Sequence, residues 1–226
     1  MPELAEVELA RRIWEPAQGQ EVIAVESHPE TRVYRDTPAG ELQTHLRRKM
    51  MVDSRTHGKR LLFGFSDSLV KPSAGDPVIY LEVHLGMSGR LFLADPYHCP
   101  DKHDHFVLRT KNLSLVYSDY RQFGRVYLHQ QDHKPWETLP LEVLHAKFTL
   151  AYLRQLTTRR KGTSLKALLL DQSIFPGIGN WMADEVLWRA GIHPARIGSK
   201  INSTETTKLF SQIKFVVRGA MKSVGK

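Results

Sequence analysis

LLLDQSIFPGIGNWMADEVLWRAGIHP, residues 168–194, decides the architecture of the second half of the chain. Its first leucines close a helical stretch that begins at Ser164, after a Thr163–Ser164 pair suited to capping a helix start. The Gly177–Ile178–Gly179–Asn180 turn follows, and then Trp181–Ala190 carries apolar residues at the three-to-four spacing of a helix face. Outward from this stretch, Phe148–Gln155 and Thr204–Met221 show the same period. Four helices are therefore expected after about residue 147.

Toward the N-terminus the pattern changes. Short β-branched and aromatic runs alternate with turn residues, which predicts strands at Glu21–Glu26, Arg60–Phe65, Val78–His84, Arg90–Ala94, His105–Thr110, Leu113–Ser118 and Phe123–Leu128. These suit a two-layer β-sandwich or flattened barrel. Ahead of them, Pro2 to about Ala17 reads as an amphipathic helix that Gly19 ends, with proline where a helix start tolerates it. The fold class is α+β. A β-sandwich domain with its N-terminal helix fills residues 1–130, a linker 131–146, and a helical domain 147–226.

Lys and Arg number 32 against 24 Asp and Glu, a net charge of +8 over 226 residues, which points to a polyanionic partner. No apolar run approaches the roughly 18 residues of a spanning helix, and no basic-then-apolar segment opens the chain, so a membrane is not expected. The single cysteine, Cys99, excludes an internal disulfide and suits a reducing, cytoplasmic setting. His98, Cys99, His103 and His105 cluster in a Pro- and Asp-rich loop, but lack a second ligand pair at zinc-finger spacing. No metal and no cofactor is expected.

The sharpest chemical signal is MPELAEVE at the start. Removal of Met1 exposes a secondary amine on Pro2, and an α-amino group titrates at about 7.7–8.0, low enough to be partly neutral near pH 7. Such an amine attacking a sugar C1′ can form an iminium ion. Glu3 and Glu6 stand one helical turn apart beside it, as general acid or as support for the amine. The same residues would equally serve a plain helix start, since acidic residues and proline both favour that position.

PELAEVE resembles the N-terminal signature of the formamidopyrimidine-DNA glycosylase and endonuclease VIII family. Four more segments match in order: GKRLLF around Lys59, HLGMSG from His84 to Gly89, DYRQFG from Asp119 to Gly124, and the 168–194 stretch. The resemblance runs from residue 2 to about residue 220. It implies a bifunctional glycosylase and lyase acting on damaged double-stranded DNA as a monomer, with a helix–two-turn–helix module in its second domain. Pro2 would be the nucleophile, Glu3 the general acid for sugar ring opening, and Glu6 a supporting residue. Lys59, His84 and Asn180 would hold phosphates around the lesion. Met87, Arg121 and Phe123 would fill the gap left by the flipped nucleotide, with Arg121 on the orphaned base.

HLGMSG and the Arg-x-Phe pair favour the branch that removes oxidised purines. An endonuclease VIII-like preference for oxidised pyrimidines, or a binder without catalysis, are the alternatives. The sequence departs from the family pattern in three respects. The four-cysteine zinc finger and its arginine are not among these 226 residues, Trp181–Met182 replaces the usual Ile-Tyr pair, and a retained Met1 would turn the Pro2 nitrogen into a tertiary amide. The basic run Arg159–Arg160–Lys161 would serve either as further backbone contacts or as a solvated turn.

Overall fold

The computed structural model of the chain describes residues 1–28, 30–34, 37–67, 78–130 and 135–223. They form two compact units. One comprises Met1–Pro2, Val7–Thr56 and Arg60–Glu137, and the other Glu3–Glu6, His57–Lys59 and Thr138–Lys226.

The elements of the first half are α1 (Leu4–Ile13), β1 (Ala24–Ser27), α2 (Ala39–Leu46), β2 (Met50–His57), β3 (Arg60–Ser66), β4 (Ile79–His84), β5 (Arg90–Ala94), β6 (Asp104–Arg109), β7 (Ser114–Ser118) and β8 (Arg125–His129). The seven expected strands, joined by an eighth, β2, that was not expected, form two four-stranded sheets, ordered β1-β6-β7-β5 and β2-β3-β4-β8. β4 pairs antiparallel with both β3 and β8, which puts Arg60 opposite His84 and His84 opposite Arg125. Both sheets contribute to a single core: Phe63, Phe65, Leu81, Val83 and Val126 from one, Phe106, Leu108, Leu115 and Tyr117 from the other. That makes a two-layer sandwich. Trp14 is fully buried in it, with its ring 4.7 Å from that of Phe63 and its indole N–H 3.3 Å from the Phe92 carbonyl. Burying one such side chain contributes about 1.5–3 kcal/mol.

The N-terminal helix is shorter than expected. α1 stops at Ile13, and a separate 3-10 turn covers Glu15–Ala17. Pro16 is the cause, because it lacks an N–H and its ring clashes with the carbonyl four residues earlier. Leu4 and Ala5 of α1 bury in the helical core, and Val7, Ala10 and Trp14 in the β core.

The helices of the second half are α3 (Leu150–Arg159), α4 (Leu165–Leu170), α5 (Asn180–Ala190) and α6 (Ser203–Ser223). Thr149 and Ser164 cap α3 and α4 by accepting from the N–H groups of Tyr152 and Ala167. Their core gathers Phe148, Phe175, Ile178, Met182, Val186, Leu187, Leu209, Ile213 and Val217. The stretch expected as a linker divides. Residues 131–134 lie outside the described residues, as do 224–226. Trp136 and Glu137 belong to the first unit, and from Thr138 the chain belongs to the second, with Val143 buried in the helical core.

Candidate active site and nucleic-acid interface

A helix start leaves several backbone N–H groups without partners inside the helix. At the start of α5 a carboxylate takes them. Glu3 Oε2 accepts from Gly179 N–H at 2.9 Å and from Met182 N–H at 3.2 Å, and its Oε1 accepts from Trp181 N–H at 3.0 Å. A negative group is the natural occupant of the positive end of a helix. Glu3 is only 3% exposed, so water cannot replace these donors. Gly179 makes the cradle possible, since a side chain there would meet Glu3 Cδ at 2.3 Å.

The turn itself is braced. Gln172 donates to the carbonyls of Leu170 (2.9 Å) and Ile178 (2.7 Å) and accepts from Gly177 N–H at 3.1 Å. Leu4 N–H donates to the Gly177 carbonyl at 3.0 Å. Glu6 does a different job from Glu3. Its Oε2 accepts from the Glu3 backbone N–H at 3.0 Å, the reach-back of a capping box, so it fixes the main chain that carries Glu3.

Lys59 sits on the turn between β2 and β3 and is buried. Burial pushes its ammonium below the ordinary lysine range, and the carboxylates of Glu3 and Glu6 pull it part of the way back. Its turn is clamped by Glu142, whose Oε1 accepts from Gly58 N–H at 3.0 Å, while His57 Nε2 lies 2.8 Å from the Pro140 carbonyl. Asn180 is the first residue of α5 and is exposed. Gly179, not Asn180, is the cap, and among the described residues nothing bonds the Asn180 side-chain amide. Glu3, Glu6, Lys59 and Asn180 thus share one unit. Pro2, half-buried, belongs to the other.

That other unit carries the remaining expected residues. His84 ends β4 and accepts at Nδ1 from Gly86 N–H at 3.1 Å. Met87 and Phe123 are about half exposed, at 50% and 48%, and the Arg121 guanidinium lies 4.7 Å from the centre of the Phe123 ring. Soluble surfaces seldom hold such side chains outward on two adjoining loops without a use for them. Sequence reasoning missed the residues behind these groups: Gln172, Glu142, Gly179, Ser88 and Asp119. All but Glu142 stand inside the quoted motifs, but only contacts reveal what they hold.

Among the described residues, no three His, Cys, Asp or Glu side chains gather where a metal could sit. His98 pairs with Asp104 at 3.0 Å, the His105 ring bonds the Asp119 carbonyl at 2.8 Å, and Cys99 is exposed. Among them also, no helix is long and apolar enough to cross a membrane.

Comparison with known proteins accounts for both halves. Residues 1–126 match the formamidopyrimidine-DNA glycosylase N-terminal domain, and residues 139–226 match that enzyme's H2TH domain. The chain belongs to the formamidopyrimidine-DNA glycosylase family. Curated members from Exiguobacterium and Thermomicrobium roseum are 31% and 34% identical over all of this chain and 80% of their own length. The Lactococcus lactis family member, crystallised non-covalently bound to DNA containing an abasic site, is 30% identical with a TM-score of 0.85. That match covers 99% of this chain and 83% of that one. The same enzyme in complex with DNA containing N7-benzyl-Fapy-dG matches at 30% identity and a TM-score of 0.84, over 98% and 79% of the two chains.

Proposed function

We propose that this chain is a base-excision-repair DNA glycosylase with lyase activity, which removes oxidised purines such as 8-oxoguanine and formamidopyrimidines. The observation that carries the reading is the Glu3 cradle. The residue directly after the N-terminal proline is buried, held by three amides of the α5 start, and close enough to Lys59 for their charges to interact. That is a fixed acid next in sequence to an amine, with a cation beside it.

In this reading the Pro2 nitrogen attacks C1′ of the damaged nucleotide, the C1′–N bond to the base breaks, and the departing base takes up a proton. Glu3 delivers a proton to O4′ as the sugar ring opens and an iminium ion forms between Pro2 and C1′. Loss of a C2′ proton expels the 3′ phosphate, and a second elimination expels the 5′ phosphate. Water then releases the sugar fragment from Pro2. Lys59, His84 and Asn180 hold the phosphates beside the lesion. Met87, Arg121 and Phe123 occupy the gap, the apolar pair offsetting lost stacking and Arg121 donating to the orphaned base.

The family's structural zinc has no fit among these residues, because the sequence holds one cysteine and no four-cysteine set. No step above needs it, or any other cofactor. The enzyme works where the DNA is, in the cytoplasm.

The lesion preference is tested by single-turnover base release from matched duplexes. Faster release of 8-oxoguanine than of an oxidised pyrimidine supports the purine reading, and the reverse order replaces it. Another solved complex of the Lactococcus lactis enzyme contains an oxidised pyrimidine, which keeps that comparison necessary.

Two further results are expected. About four to six phosphate contacts give a slope of about −4 to −5 when log affinity is plotted against log salt, and a flat plot would remove the electrostatic account. Gly179→Ala puts a methyl group where the Glu3 carboxylate now lies. Base excision is expected to fall about 100-fold while duplex affinity changes little, because displacing a reacting group by about 1 Å can cost that much. Unchanged excision in that variant would show that the cradle is dispensable.

A further inference from the structure

We propose that Asp119 is a positioning residue that couples the loop carrying Met87 to the loop carrying Arg121 and Phe123, and so fixes the spacing of the three gap-filling side chains. The inference rests on the reading of those three residues given above.

Asp119 is fully buried. Its Oδ1 accepts from the Ser88 hydroxyl at 2.5 Å and from Arg121 N–H at 3.2 Å, and its Oδ2 accepts from Gly124 N–H at 2.8 Å. One carboxylate therefore reaches the residue after Met87, the backbone of Arg121, and the residue after Phe123. The Asp119 main chain is pinned as well: its N–H donates to the His103 carbonyl at 3.0 Å, and its carbonyl bonds the His105 ring at 2.8 Å. A carbonyl can only accept, so His105 Nε2 carries the proton. Burial moves the His105 pKa down, which favours the neutral ring.

The loops also touch directly. A side chain at Gly86 would lie 2.5 Å from the Gly124 nitrogen and from the Phe123 carbonyl carbon. Above this base the chemistry inverts, since Met87 and Phe123 face solvent and the Arg121 guanidinium rests on the Phe123 ring. A buried charge with three donors underneath half-exposed apolar side chains is a poor way to build a core. It suits a support that keeps a wedge in one shape before DNA arrives, because a group held within about 0.5 Å of its working position loses little on binding.

The two polar members can be removed separately. Ser88→Ala cuts the tie between the loops and leaves the carboxylate with its two amide donors. Asp119→Asn replaces one oxygen with an NH₂ that must face a backbone donor, so at least one of the two amide bonds, from Arg121 or from Gly124, is lost. The measurement is the ratio of single-turnover rates on two duplexes, one with a paired 8-oxoguanine and one with an abasic site, which needs no base to be displaced. Fall in this ratio is expected to be about threefold for Ser88→Ala and about tenfold for Asp119→Asn, with recovery in Ser88→Thr, which keeps the hydroxyl.

A merely structural role would lower both rates together and leave the ratio alone. Met87→Ala and Phe123→Ala serve as controls for the underlying reading. If they lower the ratio and neither Ser88→Ala nor Asp119→Asn does, the coupling role of Asp119 is wrong and the wedge stands. If they too leave the ratio unchanged, the wedge reading itself fails. Should Asp119→Asn not fold, as judged by thermal melting, an unchanged ratio in Ser88→Ala alone overturns the proposal.

Discussion

A chain with a blocked N-terminus, through a retained Met1 or an acetyl group on Pro2, is expected to bind abasic DNA and fail to cut it. The nitrogen of Pro2 is then an amide, whose lone pair is delocalised into the carbonyl and does not attack a sugar. Cleavage should fall by at least about a thousandfold, in line with losing the nucleophile of a covalent mechanism. Binding should survive, because the expected phosphate contacts come from Lys59, His84 and Asn180 and not from the amine. Pro2→Gly is a milder lesion. It keeps an α-amine but loses the ring that fixes its direction, so a loss of about 100-fold is expected from orientation alone. Strand cleavage at full rate by a blocked chain would transfer the nucleophile to another amine. Lys59 would be the first candidate, since burial already moves its pKa down toward the neutral, nucleophilic form.

Glu3→Gln is expected to stop base excision while leaving cleavage of a pre-formed abasic site partly intact. Removing a general acid costs typically 10²–10⁴-fold. The geometry adds a second effect. Gly179, Trp181 and Met182 all donate to the Glu3 carboxylate, with both oxygens in use. The amide of glutamine turns one of those oxygens into a donor, so at least one buried N–H loses its acceptor, at about 1–3 kcal/mol. The variant should therefore melt at a lower temperature than the parent. Excision rates must be compared below that transition. An unchanged excision rate in folded Glu3→Gln would take Glu3 out of the chemistry and leave it as a helix-start anchor.

The sequence made the order of the halves readable because its periods differ so sharply. Alternating β-branched runs ended near residue 128, helical spacing began near 148, and the 177–180 turn opened α5 as expected. Two elements escaped. β2 opens on Met50, Met51 and Val52 and is polar from Asp53 onward, with only Met51 buried, so no alternation marks it. α2 spans eight residues after Pro38 and buries two leucines, Leu42 and Leu46, too few to establish a period.

The site was legible in part for a related reason. Pro2, Glu3, Lys59 and Asn180 stand in motifs whose chemistry can be argued residue by residue. Their supports lie far away in the chain: the amides on Glu3 come from residues 179–182, and Glu142 reaches back to Gly58. Nothing in local spacing encodes such pairs. Glu6 shows the limit well, since one helical turn from Glu3 could mean a paired acid or a cap, and the bond to the Glu3 N–H makes it a cap.

The most direct test of the account is to mix the chain, with Met1 removed, with a duplex containing one abasic site, add borohydride, and map the covalent adduct by peptide mass. The account predicts a stable protein–DNA adduct whose sugar fragment sits on the N-terminal peptide at Pro2, and no adduct when the N-terminus is blocked. An adduct on a lysine, or none at all under conditions where the DNA is bound, would contradict it.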